Sequence, residues 1–291
     1  MILSTLALAV LGCGPDERGD RGNGNGNGSA DAGDPTTGDA PGGSTDGCSD
    51  EAKLVYVVDE NYQLSTFDPM TKTFQPIGNL SCPAGLFATP FSMSIDREAN
   101  AWVLYSDGAL YKVDTETLAC TRTSWTTQLG LSVFGMGFST DAVGGTTDTL
   151  FVAGGSGPTV PTSTLARLDT TTTQAQQVGT VQGWPELTGT GNAELWGFFP
   201  NANGATIQKL DKTNGAVLQS FPLSALAGEP SAWAFAFWGG DFWVFLQKDL
   251  ETSTTVYQIS GTNGQLLGQT PAPSRRIVGA GVSTCAPVII F

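Results

Sequence analysis

The sequence predicts an all-β fold: a β-propeller of five blades, closed by a C-terminal strand that pairs into the first blade. Three observations carry that expectation. A short pattern, apolar-x-x-apolar then Asp or Ser and a run rich in Thr, Asn and Gly, ends at Asp68, Asp114, Asp169, Asp211 and Ser260, at spacings of 46, 55, 42 and 49 residues. Runs that alternate large with small residues recur in the same rhythm: FSMSI at 91–95, FGMGF at 134–138, WAFAF at 233–237 and VGAGV at 278–282, with a looser copy, LTGTG, at 187–191. No stretch between them repeats its apolar residues at a helical period. Short strands in a repeat of this length are the signature of a propeller, each repeat forming one blade.

Each element has its own reason. Strict alternation is the period of a strand, and small side chains on one face suit the innermost strand, where neighbouring blades converge. The second element, LVY at 54–56, AWV at 101–103, LFV at 150–152, LWG at 195–197 and FWV at 242–244, carries a central aromatic in four of its five copies. The third ends in the recurring Asp, whose carboxylate can bond amides two residues on and so cap a tight turn. The first repeat, from Lys53, has the second and third elements without the first, whereas the chain ends on a first element, 277–283, with nothing to follow it. Placing that strand in the first blade completes the ring, and a closed ring has no exposed strand edges.

Composition narrows the function. Charged residues are only 14% of the chain, and the balance is acidic, net -14. With 13 Lys and Arg scattered along 291 residues, there is no cluster to neutralise phosphates, and nucleic acid is not an expected partner. Histidine is absent, which removes the commonest general base and the Ser-His and Cys-His nucleophile systems. Carboxylate pairs could still perform glycosidase chemistry.

Residues 2–11 form an apolar stretch far shorter than the roughly 20 residues a membrane-spanning helix needs, and it reads as the apolar region of a secretory signal. Its ending, Val10-Leu11-Gly12-Cys13, resembles a bacterial lipobox, although residues 1–5 lack the Lys or Arg of the usual signal. The resemblance implies a lipoprotein signal peptide over 1–12, cleavage before Cys13, a diacylglyceryl group on the Cys13 thiol, and a fatty acyl group such as palmitate on the new amino terminus. Two or three acyl chains anchor a protein stably where a single chain is marginal. Residues 13–50 then comprise the lipidated Cys13 and a flexible, acidic linker. The stretch 14–47 holds no large apolar residue and includes GNGNGNG, so it cannot bury enough surface to offset the entropy of ordering. Gly14, rather than Asp, after the lipobox Cys favours the outer membrane. The propeller domain is expected over 51–291, exported and lipid-anchored.

Over roughly residues 50 to 291 the repeats resemble bacterial propellers of the NHL, YncE-like and streptogramin-lyase-like kind. The resemblance is architectural and implies no catalytic residue. With Cys13 assigned to lipid, Cys48, Cys82, Cys120 and Cys285 remain, an even number suited to two disulfides in an exported chain. The blade alignment places Cys48 and Cys285 at one loop of the first blade and Cys82 near Cys120 at the outer ends of blades one and two. The expected pairs are therefore Cys48–Cys285 and Cys82–Cys120.

Asp96, Arg97 and Glu98, with Asp141, Glu194 and Asp241, follow the innermost strands. They are expected to ring one mouth of the channel, either as ligand-binding residues or as turn acids. Arg275-Arg276, the sole adjacent basic pair, could clamp an anion or stand solvated. Trp102, Trp196 and Trp243 are expected in the core, while Trp125, Trp184 and Trp238, near strand ends, could stack on a sugar. No Cys-x-x-Cys or Asp-x-Asp-x-Asp-Gly spacing occurs, so neither a metal nor another cofactor is expected. The leading reading is a membrane-anchored extracytoplasmic scaffold that binds a protein, peptide or glycan. The alternatives are an extracytoplasmic glycosidase or lyase built on carboxylates, and a structural component of an envelope complex.

Overall fold

The structure, a computed structural model, describes residues 48–157 and 161–289. The expected signal peptide over 1–12, the expected lipidation of Cys13 and the expected linker as far as residue 47 lie outside the described residues. Five four-stranded antiparallel sheets follow one another along the chain. The first blade contains β1 (Val55–Asp59), β2 (Gln63–Asp68) and β3 (Thr73–Asn79); the second, β4 (Pro90–Ile95), β5 (Asn100–Tyr105), β6 (Leu110–Asp114) and β7 (Cys120–Arg122). The third runs through β8 (Val133–Thr140), β9 (Asp148–Gly155), β10 (Thr162–Leu168) and β11 (Ala175–Gln182). The fourth comprises β12 (Glu186–Gly189), β13 (Leu195–Phe199), β14 (Ala205–Leu210) and β15 (Val217–Leu223), and the fifth β16 (Pro230–Trp238), β17 (Asp241–Lys248), β18 (Thr254–Ser260) and β19 (Leu266–Ala272).

The last strand, β20 (Ile277–Gly281), supplies the missing inner strand of the first blade. It pairs antiparallel with β1, Ala280 opposite Val57 and Gly281 opposite Tyr56. The five inner strands then pack in a closed circle, β20 on β4, β4 on β8, β8 on β12, β12 on β16 and β16 on β20. The chain is a five-bladed β-propeller, closed as the repeats predict.

The core is divided among the junctions between blades. Val55, Val57 and Phe67 of the first blade meet Trp243 and Phe245 of the fifth, while Tyr56 and Val58 meet Met93, Ile95 and Val103 of the second. Leu104 and Trp102 face Phe134 and Met136. Phe151 and Leu165 face Leu187 and Phe199, and Trp196 and Phe198 face Phe235 and Phe242. A blade is thus covered on both faces, which is why β1, β5 and β13 are buried almost throughout instead of alternating. The alternating inner strands use their small face for close approach. A Cβ on Gly135 of β8 would collide with the Pro185 carbonyl and come within 2.8 Å of the Glu186 Cα, and one on Gly281 would come within 2.8 Å of the Ser94 Cα.

The repeated acids cap their turns. The Met70 amide donates to Asp68 at 2.8 Å, the Thr117 amide to Asp114 at 2.7 Å, the Thr172 amide to Asp169 at 2.8 Å and the Thr213 amide to Asp211 at 2.7 Å. In the fifth blade the Ser260 hydroxyl takes that place at a longer 3.3 Å. Both expected disulfides are present, Cys48–Cys285 and Cys82–Cys120.

Candidate binding site

The inner strands begin at one mouth of the channel and end at the other, and the two mouths differ. The end mouth is filled by the chain itself. After β20 the segment that includes Ser283, Thr284 and Cys285 crosses it: the Ser283 hydroxyl donates to the Ala52 carbonyl at 2.6 Å, and the Thr284 hydroxyl to Asp148 Oδ2 at 2.6 Å. The same segment touches the fourth blade, where a Cβ on Gly191 would meet the Thr284 carbonyl, and the fifth, where the Gly239 amide donates to the Pro287 carbonyl. The Cys48–Cys285 bridge pins this plug to the start of the domain.

The polar residues singled out from sequence lie around this plugged mouth. Asp96, Arg97 and Glu98 occupy the β4–β5 turn and, with Lys112, Asp148 and Thr171, line a cavity of about 310 Å³. Asp96 accepts from the Trp102 indole at 3.1 Å and pairs with Lys112 at 2.9 Å. Arg97 donates from Nε to Asp148 at 3.1 Å and from Nη2 to the Gly145 carbonyl at 3.0 Å. Asp141, Glu194 and Asp241 do not join that cavity. Asp141 accepts from the Thr149 hydroxyl at 2.7 Å, and Asp241 from the Gln258 amide at 2.7 Å. Glu194 holds Lys209 at 2.5 Å and the Trp196 indole at 3.0 Å.

A repeat unnoticed in the sequence connects these residues. The residue two places before the turn acid sits opposite the aromatic of the second element: Lys112 across from Trp102, Arg167 across from Phe151, Lys209 across from Trp196 and Gln258 across from Trp243. The three cations lie 5.6 to 5.9 Å from the ring centroids they face, within cation–π range. Acid, indole and cation thus brace each other in blades two and four. The signal was legible as the Lys or Arg in three of the five copies of the turn pattern.

The start mouth is open. It holds a cavity of about 530 Å³ lined by the first residues of four inner strands and the segments leading into them, among them Phe91, Trp184, Glu186, Trp233 and Val278, and by Glu60 from the β1–β2 turn. That volume falls in the range of small-molecule sites. Because the far end is plugged, the channel is a blind cup. Glu229 and Arg276 complete its rim.

Two features set its chemistry. Arg276 is committed: it donates to Glu60 Oε2 at 3.1 Å, to the Ser231 hydroxyl at 3.2 Å and to the Ser231 carbonyl at 2.5 Å. Arg275 is similarly held, donating to the Ser65 hydroxyl at 3.1 Å and standing 5.1 Å from the Phe74 ring centroid. The pair are braces between strands, neither a solvated patch nor a free anion clamp. The other feature is Glu186, only 3% exposed, whose Oε2 accepts the Ser92 hydroxyl from across the ring at 2.9 Å. Burial pushes its carboxyl well above the usual range, opposed in smaller measure by the Ser92 hydroxyl and the Met136 amide.

Trp102, Trp196 and Trp243 are core residues as expected. Trp125 is buried as well, and the Trp238 indole donates to the Lys53 carbonyl at 2.9 Å. Trp184 alone of the three strand-end residues reaches the cup, where half-buried Trp233 joins it. The alternation of 233–237 marks an inner strand and by itself gives Trp233 no separate role. Its position as the first large residue of an inner strand was the available signal that it faces the mouth.

No protein-family model matches the chain, and no curated protein does. Among solved structures, the chain is similar to one described as "Structure of Dos1 propeller" at 13% identity, over 74% of this chain and 55% of that one, with a TM-score of 0.41. It is similar to a chain of a "Crystal Structure of Mitotic Checkpoint Complex" at 10% identity, over 80% of this chain and 79% of that one, with a TM-score of 0.41. A third similar structure is "Kuenenia stuttgartiensis Hydrazine Synthase", at 12% identity, over 81% of this chain and 70% of that one, with a TM-score of 0.42. The class of the protein therefore rests on its own strand order, closure and blind cup.

Proposed function

We propose that this protein is a lipid-anchored, extracytoplasmic binding propeller of the NHL and YncE-like kind, held at the outer membrane by Cys13, and that it receives its ligand in the blind cup. The observation that carries the binding reading is an aromatic-walled cavity at the open end of a channel whose other end is closed by a disulfide-pinned segment. Such a site is concave, mostly apolar and fitted with a few polar groups, the common form of a ligand pocket. The membrane reading draws on the lipobox-like VLGC and the spacer after it, and the two disulfides fit an oxidising compartment.

Two measurements test it. Intact mass of membrane-extracted protein should exceed the polypeptide mass from Cys13 onward by that of its acyl groups, and Cys13→Ala should lose both the added mass and membrane retention. Unmodified protein that stays soluble overturns the anchor. Screening the full chain against peptides and glycans should yield a ligand whose binding Trp233→Ala weakens; ligands indifferent to that change overturn the cup.

A carboxylate enzyme is the second reading, favoured by Glu186, an acid with a raised pKa inside an aromatic-walled site. Turnover of a chromogenic glycoside that disappears in Glu186→Gln supports it, and silence across such substrates removes it. A structural role in an envelope complex predicts co-elution with other membrane proteins on size exclusion.

A further inference from the structure

The lining of the cup narrows the class of ligand. Three carboxyls, Glu60, Glu186 and Glu229, face it against one guanidinium, and Arg276 spends its donors on Glu60 and Ser231. No cation in the lining is left to meet an anion. The walls are Phe91, Trp184 and Trp233, and aromatic faces attract cations most strongly where water is excluded. The whole chain is acidic, net -14, which draws cations to it from a distance.

We propose that the cup takes an alkylammonium group, that of a free polyamine or of a lysine side chain, seated between Trp233 and Phe91 with its charge toward Glu186 and Glu229. This deepens the binding reading above and rests on it. An anionic ligand would meet Glu229 and Glu186 with no free cation beside them, since Arg276 is paired with Glu60, whereas an ammonium supplies both charge and N–H donors to their oxygens.

The floor of the cup gives this binding a proton signature. Glu186 meets the Ser92 hydroxyl from β4 and the Met136 amide from β8, and the charged groups that share the cup's lining with it are Glu60 from the β1–β2 turn, Glu229 ahead of β16 and Arg276 ahead of β20. Burial favours its neutral form. An arriving ammonium favours the carboxylate, so the Glu186 proton leaves to solvent as the ammonium binds. Affinity therefore rises with pH from the acid range until Glu186 is ionised in the empty cup.

Calorimetry on the full chain tests this with four probes: spermidine, Nα-acetyl-lysine amide, its neutral isostere Nα-acetyl-norleucine amide, and a chitin oligosaccharide. Spermidine or the lysine derivative should bind while the norleucine derivative does not. The heat should change with the ionisation enthalpy of the buffer, reporting proton release. Glu186→Gln should abolish that release and weaken binding roughly tenfold or more, the scale of a lost charged hydrogen bond, and Trp233→Ala should weaken it without altering proton release. Binding of only one ammonium probe identifies the source. Oligosaccharide binding that Trp233→Ala weakens, with no ammonium binding, overturns the ligand class and leaves the cup reading standing. Ammonium binding unchanged in both variants marks diffuse attraction to an acidic surface and overturns the proposal, as does silence from all four probes.

Discussion

At the scale of single residues, Glu186 and the turn acids impose opposite pH dependences on stability. The Glu186 carboxyl is raised in the fold by burial, so the folded state holds its proton after the unfolded chain has released its own. Its contribution is fully present below the unfolded pKa and is lost as pH rises through the folded one. Glu186→Gln should therefore gain thermal stability relative to the parent as pH goes from 5 to 8, measured as the difference in melting temperature; a constant difference would contradict the assignment. Asp68 is lowered chiefly by the Thr71 hydroxyl, Asp114 and Asp169 chiefly by the Thr117 and Thr172 amides, and Asp211 chiefly by the Thr213 hydroxyl. Their contribution is present above the unfolded value and is lost as pH falls through the lowered ones. Acid melting should thus soften when all four are replaced by Ala, because the variant has less left to lose. These roles differ in legibility. The turn acids announced themselves by repetition, whereas Glu186 stands just before the loosest copy of the inner strand and owes its character to burial in the assembled ring, where its hydroxyl partner Ser92 is 94 positions away.

Among the elements, the inner strands carry the tightest geometry. Gly135 sits where β8 meets β12, and a methyl there strikes backbone that has no side-chain freedom with which to yield. Gly135→Ala should cost about 1 to 3 kcal/mol, the range for overpacking, seen as a lower denaturant midpoint. The junction of the fourth and fifth blades fails in the other direction. Phe242 is fully buried, with ring centroids of Trp196 at 4.9 Å, Phe237 at 5.2 Å and Phe235 at 5.5 Å. Phe242→Ala should lose about 3 to 5 kcal/mol, and a loss below 1 kcal/mol would mean the junction repacks. Elements of this kind were readable from sequence because two periods coincide: alternation along a strand, and recurrence of strands along the chain. The outer strands were harder. β3, β11 and β15 are mostly exposed or half-buried, so they need no apolar signature and offer none.

For the whole molecule, closure is the central fact, and it was legible because an orphan first element at the C-terminus had one place to go. The mouths were another matter. Sequence order set the polar turns at one end of the channel, yet nothing in the chain's local pattern tells which end the terminal segment fills; that depends on packing of Thr284 against Asp148 and of Pro287 against Gly239. The two bridges should differ in effect. Cys82–Cys120 spans 38 residues and Cys48–Cys285 spans 237, so the chain-entropy model assigns about 4 and about 5 kcal/mol respectively. Cys48→Ser paired with Cys285→Ser should lower stability the more, and it should also open the end mouth to hydrogen exchange at Thr284. The Cys48–Cys285 bridge has a mechanical meaning as well. Any pull delivered along the chain that precedes Cys48 divides at the sulfur bridge, so β1 and β20 are drawn at the same end and in the same direction. The closing seam is then not peeled strand from strand.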